Sequence, residues 1–431
     1  MAQNKQIIIR EYDFIHSKEG EKNYVHNFND LKNFILKNEE TAQYLKPLFK
    51  KGYGEVLQAQ NYVGVIQTKD GTTIEILPKI ANLDRDDDQT RKIVIKMLRT
   101  LKNSPFKNLD HANLKSEKMP LLEVFISMFL LELTKLVQRG IKSDYIDREE
   151  NLPFLKGKLK FADHIKRNFV HKERFYVQYQ EFLSDRIENR LIKTTLDFLY
   201  KKSKSSKNQQ RIREFQFVFD EIQLSNDPKN DFSKIRLNRQ IKDYEQVLLW
   251  CKTFLLGNSF SPYQGNDVAF ALLFDMNLLF ESYVGHYLKK NSVDVKLQDK
   301  THHLACLNGA GKFQLKPDIV IDNGRVIADT KWKLLNEDKT HQGVSQGDMY
   351  QLFAYGKKYT KAPCEKLFLI YPKQEKDESL LQQHTYYFEN AIKNSKECVS
   401  GLDLQILFFD LAIDFKDIES PPIEQFWKNC I

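Results

Sequence analysis

Lys316-Pro317-Asp318-Ile319-Val320-Ile321-Asp322-Asn323-Gly324-Arg325-Val326-Ile327-Ala328-Asp329-Thr330-Lys331 is the stretch that decides how this chain is read. Asn-Gly between two β-branched runs specifies a hairpin, because both residues tolerate the positive φ of a type I′ turn. With Asn323 and Gly324 as the loop, Asp322 faces Arg325, Val320 faces Ile327 and Asp318 faces Asp329. Strand alternation then puts Ile319, Ile321, Val326 and Ala328 on one apolar face that must be buried. Asp318, Asp329 and Lys331 share the other.

Carboxylates opposed across such a ribbon have Cβ atoms roughly 4.5–5.5 Å apart, where like charges destabilise a sheet. At about 5 Å and an effective dielectric of about 20, the repulsion is on the order of 3 kcal/mol. Lys331 offers one compensating charge and a divalent cation offers more. Hard carboxylate oxygens without imidazole or thiolate point to Mg²⁺. An ion held by Asp318 and Asp329 would acidify a bound water and polarise a phosphodiester oxygen. Lys331 would orient that water or stabilise charge on the phosphate. A bare Asp-x-Lys is common on protein surfaces. The preceding Pro-Asp, the Asn-Gly register and the apolar reverse face together favour chemistry.

Glu281, in Leu278-Leu-Phe-Glu-Ser-Tyr-Val284, borders the apolar stripe Met276, Phe280, Val284 and Tyr287. It is either a flanking surface residue or a third acid of the site. Gln351 and Tyr355, four residues apart, project from one helix face.

The rest of the chain sets the frame. Its 431 residues, 41% hydrophobic and 12% aromatic, supply apolar surface for real cores and exceed one ordinary domain. No apolar run is long enough to span a bilayer, and Met1–Arg10 lacks a secretory signature, so a cytoplasmic protein is expected. Five scattered cysteines without Cys-x-x-Cys disfavour disulfides, zinc knuckles and iron–sulfur clusters. The net charge of +8 permits nucleic-acid binding without requiring it. Lys201 to Arg213, basic and without an acid, reads as a solvated loop between helices or as a phosphate-contacting loop.

The expected fold is mixed α/β. A β-rich region, 1–115, contains a hairpin of Tyr62–Thr68 and Thr72–Leu77. A helical middle, 116–260, contains helices at Leu121–Arg139, Asp185–Tyr200 and Asp243–Leu255. The last region, 261–431, combines a helix Val268–Lys289, the hairpin, a helix Asp348–Tyr359 and strands at Lys366–Tyr371 and Leu404–Phe409, giving a mixed sheet flanked by helices. Gly257-Asn258-Ser259 marks the boundary before it.

Pro-Asp318 followed by Asp329-Thr-Lys331 resembles the PD-(D/E)xK nuclease signature, and Gln351-x-x-x-Tyr355 resembles the helix motif of its RecB-type branch. Further stretches resemble the McrC family, the nuclease subunit of McrBC modification-dependent (type IV) restriction systems. They are Ile74-Glu-Ile-Leu-Pro-Lys79, Arg139-Gly-Ile with Tyr145, Asn151-Leu with Lys156-Gly-Lys-Leu159, Leu279-Phe-Glu-Ser-Tyr-Val284 and Asp348-Met-Tyr-Gln-Leu-Phe-Ala-Tyr355. They run from about residue 60 to 372. The resemblance implies an Mg²⁺-dependent DNA endonuclease with a C-terminal PD-(D/E)xK domain. Asp318, Asp329 and Glu281 would be its metal ligands, with Lys331 and Gln351 completing the catalytic set. It also implies docking through residues 1–115 on an McrB-like AAA+ GTPase, which binds the GTP, is stimulated by this chain and recognises double-stranded DNA carrying modified bases. The chain itself has no Walker-type phosphate loop. An adaptor with a vestigial nuclease face, and a stand-alone repair or resolvase nuclease, are the alternatives.

Overall fold

Asn323 (φ 53°, ψ 27°) and Gly324 (φ 102°) both take left-handed backbone, and the Arg325 N–H donates to Asp322 O at 3.2 Å. The reversal expected from Asn-Gly is there, but Asp322 (φ 50°) is left-handed too and the ladder closes at Ile321–Val326, so the loop takes four residues rather than two. A Cβ at Gly324 would come within 2.7 Å of Tyr359 O, so the position needs glycine for space as well as for φ. The register follows: Ile319 pairs with Ala328, Val320 with Ile327 and Ile321 with Val326. The ladder stops there, and Asp318 lies in the bend before it.

The computed structural model describes residues 6–37, 43–68, 70–80, 86–102, 104–108, 119–236, 239–256, 268–291, 294–335, 339–359, 366–373, 385–388 and 402–411. The expected boundary at residues 257–259 and the tail beyond 411 lie outside them. The chain forms two compact units. One comprises Met1–Lys118, Gly265–Ala269 and Leu273–Ile431, and the other Met119–Gln264 and Phe270–Leu272.

In the first unit the hairpin is part of a six-stranded mixed sheet, in the order Val295–Leu297, Ile319–Ile321, Val326–Thr330, Lys366–Pro372, Asp403–Phe409, Thr385–Tyr387. Val326–Thr330, Lys366–Pro372 and Asp403–Phe409 run parallel. Parallel strands are covered on both faces, and here both faces are indeed apolar. The helix Met276–Asn291 packs on one of them, its Phe280, Tyr283 and Tyr287 meeting Phe409 at ring distances of 6.3, 5.8 and 5.4 Å. The helix Gln346–Lys358 covers the other, burying Leu352 and Tyr355 against Val320, Ile327, Leu367 and Leu369. The aspartate-bearing face is therefore a core face as well.

The expected helix Val268–Lys289 is corrected. Val268–Asp275 is a strand, and the helix begins only at Met276. Val-Ala-Phe-Ala-Leu-Leu-Phe is apolar throughout, so periodicity cannot tell a buried strand from a helix. Asp275 ends the ambiguity: its Oδ1 accepts the Asn277 N–H at 2.8 Å and starts the helix. That strand belongs to a four-stranded sheet in the order Gln6–Arg10, Thr73–Leu77, Tyr62–Thr68, Val268–Asp275.

The second unit is built on the helices Leu121–Gln138, Ile187–Lys202, Ser206–Val218 and Glu245–Leu256. The helical reading of the middle region is incomplete, because Asp144–Leu152, Phe175–Leu183 and Lys158–Leu159 form an antiparallel sheet. Asp-Tyr-Ile-Asp-Arg-Glu-Glu-Asn-Leu has no apolar alternation to announce a strand. The basic stretch near residue 204 is also not an open loop. Ser203 Oγ and Asn208 Nδ2 each donate to Glu123 Oε2 at 2.8 Å, and the Ser205 N–H donates to Glu123 Oε1 at 3.1 Å. A buried carboxylate ties that corner.

Candidate active site

Strand pairing delivers Asp318 and Asp329 to one end of the hairpin, and the chain leaving that end delivers Lys331. Asp318 Oδ2 accepts from both the backbone N–H and the Oγ1–H of Thr330, each at 2.8 Å. The direct facing of Asp318 and Asp329 is thus modified, since Asp318 turns toward Thr330 outside the ladder. Thr330 sits within the motif, yet nothing in its spacing announces that role.

Asp329 is 2% exposed, and its Oδ2 lies 2.6 Å from Lys331 Nζ. Burial, reinforced by the charge of Asp318, pushes its carboxyl up to about 7. Burial also raises Asp318, against the opposing pull of its two Thr330 hydrogen bonds. The pair shares one low-dielectric place in which two negative charges are unfavourable.

Lys331 is held from the helix side. Its Nζ donates to Gln351 Oε1 at 3.2 Å and lies 3.6 Å from Asp348 Oδ1. Gln351 Nε2 donates to Tyr355 Oη at 2.7 Å, and that hydroxyl donates to Lys316 O at 3.2 Å. This chain of bonds fixes which end of the Gln351 amide faces the lysine. Asp348, one turn before Gln351, also binds Lys333 Nζ at 2.8 Å. Its i, i+3 relation to Gln351 could have identified it from sequence.

Glu281 approaches from the other helix. Gln298 Nε2 donates to Glu281 Oε1 at 2.6 Å, while the Gln298 N–H donates to Asp318 O at 2.9 Å. Burial, then the charge of Asp318, raises the Glu281 carboxyl. The structure therefore brings together Asp318, Asp329, Lys331 and Gln351, with Glu281 joined to them through Gln298 and by charge. Among the described residues no three His, Cys, Asp or Glu side chains sit at the spacing of a closed metal cage. Two repelling carboxylates with hard oxygens suit a cation that keeps most of its waters, which is the habit of Mg²⁺.

A second carboxyl near the site is also pushed up to about 7 by burial, that of Glu11. Unfolded Asp and Glu titrate near 4, roughly 3.9 and 4.3. Both folded values are raised, so the stability these groups confer is full below about 4 and is lost as pH climbs through about 7. The metal-free chain should therefore melt several degrees lower at pH 8 than at pH 5.5 in calorimetry. Asp329→Asn and Glu11→Gln should each flatten that slope, and an unchanged slope in both would refute the assignment.

No curated protein matches the chain. Among solved structures it is similar to a chain of the refined half-complex from a tetradecameric assembly of Thermococcus gammatolerans McrB AAA+ hexamers with bound McrC. The TM-score is 0.68 at 19% identity, over 99% of this chain and 100% of that one. It is also similar to a chain in the cryo-EM structure of the Thermococcus gammatolerans McrBC complex, at 21% identity and a TM-score of 0.49, over 68% of this chain and 90% of that one. Among the described residues no helix is long and apolar enough to cross a membrane. The model of the family described as McrBC 5-methylcytosine restriction system component matches residues 57–372, well over half the sequence, and the chain belongs to that family.

Proposed function

We propose that this chain is the DNA endonuclease subunit of a modification-dependent restriction complex, working with Mg²⁺ while docked on an AAA+ GTPase that it stimulates. The observation that carries the reading is the pair of half-buried Asp318 and buried Asp329 beside an amine fixed between Asp329 and Gln351. A C-terminal PD-(D/E)xK domain accounts for that pair, for Lys331 and for the flanking helices. Asp318 and Asp329 would hold the ion, with Glu281 behind them through Gln298. When bound, the ion supplies Lewis acidity and a more acidic water. Lys331 places a positive charge against the scissile phosphate, and Gln351 orients that ammonium. Thr330 keeps Asp318 Oδ2 occupied and so sets the direction of its other oxygen.

The complex with the AAA+ partner should cut duplex DNA containing 5-methylcytosine when given Mg²⁺ and GTP, and should spare the unmodified duplex. Normal stimulation of GTP hydrolysis without any cutting would instead make the chain an adaptor. Robust cutting by the isolated chain without nucleotide would make it a stand-alone nuclease.

The second unit offers a candidate partner surface in addition to residues 1–115, which also expose apolar side chains, Phe49 by 81% and Leu36 by 60%. The helix Phe161–Arg167 buries none of its own residues, and its Asp163 and His164 are half-buried. Asn168, just past its end, exchanges amide hydrogen bonds with Asn151 at 2.8 Å, and the His164 ring stacks on Phe175 at 6.0 Å. Its apolar stripe faces water, with Phe161, Ile165 and Phe169 exposed by 70%, 65% and 79%. Exposed apolar stripes mark interaction sites. Phe161→Asp combined with Ile165→Asp should weaken partner binding at least about thirtyfold by interferometry, and leave the melting temperature in place. Unchanged affinity would return docking to residues 1–115.

A further inference from the structure

Glu11 follows the strand Gln6–Arg10, and its side chain is 0% exposed. Its N–H donates to Leu77 O at 3.0 Å, which anchors it to the four-stranded sheet. Its Oε2 accepts the Lys79 N–H at 3.0 Å, and both carboxylate oxygens accept the Trp332 Nε1–H, at 3.1 and 3.0 Å. Burying a carboxylate is unfavourable unless donors meet it, and here the donors come from two distant parts of the chain. Asp275, Lys79 and Tyr12 are the charged or titratable groups that interact with it.

Trp332 directly follows Lys331, and its ring lies 5.5 Å from that of Phe280, the neighbour of Glu281. One indole thus abuts both segments that bring charged groups to the candidate site. Its N–H is held by Glu11.

We propose that Glu11 is a positioning residue for the cleavage reaction, its carboxylate holding the Trp332 indole so that Lys331 and Glu281 keep their places around the acidic pair. The inference rests on the nuclease reading of that pair. A displacement of about 1 Å at a reacting centre can slow a reaction by about a hundredfold, so a bond one residue beyond the lysine can matter without touching substrate.

In the assembled complex, Trp332→Phe keeps an aromatic, though smaller, ring and removes the N–H. It should lower kcat by about tenfold or more while KM for DNA stays within about twofold. Glu11→Ala should fall as far, and the double variant no further, because both remove one bond. Glu11→Gln keeps an acceptor for the indole and should recover to within about threefold of the parent. Losses that add in full, or an effect confined to KM, would overturn the proposal. Competitive acylation of the lysines gives a readout that needs no cutting. Lys331 should react faster relative to Lys333 in Trp332→Phe and in Glu11→Ala. An unchanged ratio would overturn the positioning role even if the parent cuts normally. A changed ratio in a parent that never cuts would uphold the positioning and refute only the nuclease reading.

Discussion

Asp329→Asn should lower cleavage by at least about a thousandfold in the assembled complex, because it removes one of two carboxylates on which cation binding depends. The same change should leave the fold as stable or more stable at pH 8. The native carboxylate is buried and repelled by Asp318, and together these outweigh the pull of Lys331. Asparagine keeps the shape and removes the charge, and its amide oxygen can still face the ammonium. Few catalytic replacements are expected to separate activity from stability so widely. Single-turnover cutting and a thermal melt on one preparation decide it. Retained cutting would remove Asp329 from the site, and a melt lowered by several degrees would refute the account of its strain.

Lys331→Met should lower cleavage by about a hundredfold to a thousandfold, the range for losing one fixed positive group at a developing charge. Methionine preserves much of the stem, so the local packing of the side chain should survive. Asp329 loses the cation at 2.6 Å, and its carboxyl should move further upward. Lys331→Arg should not rescue the reaction. The ammonium fits between Asp329 Oδ2 and Gln351 Oε1, whereas a planar guanidinium demands a different geometry. Cutting within about threefold of the parent by the methionine variant would place the chemistry elsewhere. Rescue by arginine would show that charge alone suffices.

Much of the site was legible because its geometry is local. Asn323-Gly324 fixes a register, the register fixes which residues are opposed, and the spacing of Gln351 and Tyr355 fixes a helix face. What escaped reading was set by contacts across the chain. Thr330 matters because Asp318 leaves the ladder one residue early, and Gln298 matters because it bridges Glu281 to the Asp318 backbone. No local rule contains either fact. The strand Val268–Asp275 escaped for a different reason: a wholly apolar run has no period to read. The ribbon Asp144–Leu152 escaped because its side chains are mostly charged and wet, so burial never patterned its sequence.

The bond between Glu11 and Trp332 joins residues 321 positions apart. At ribosomal speeds of about 5–20 residues per second, the first partner leaves the tunnel roughly 15–60 seconds before the second exists. Through that interval the glutamate has no indole to meet and stays hydrated and ionised. The strand Gln6–Arg10 therefore cannot reach its final surroundings until Trp332 has been made. Nor can the lysine beside Trp332 be braced until these two distant segments have found each other, a delay written into the order of synthesis.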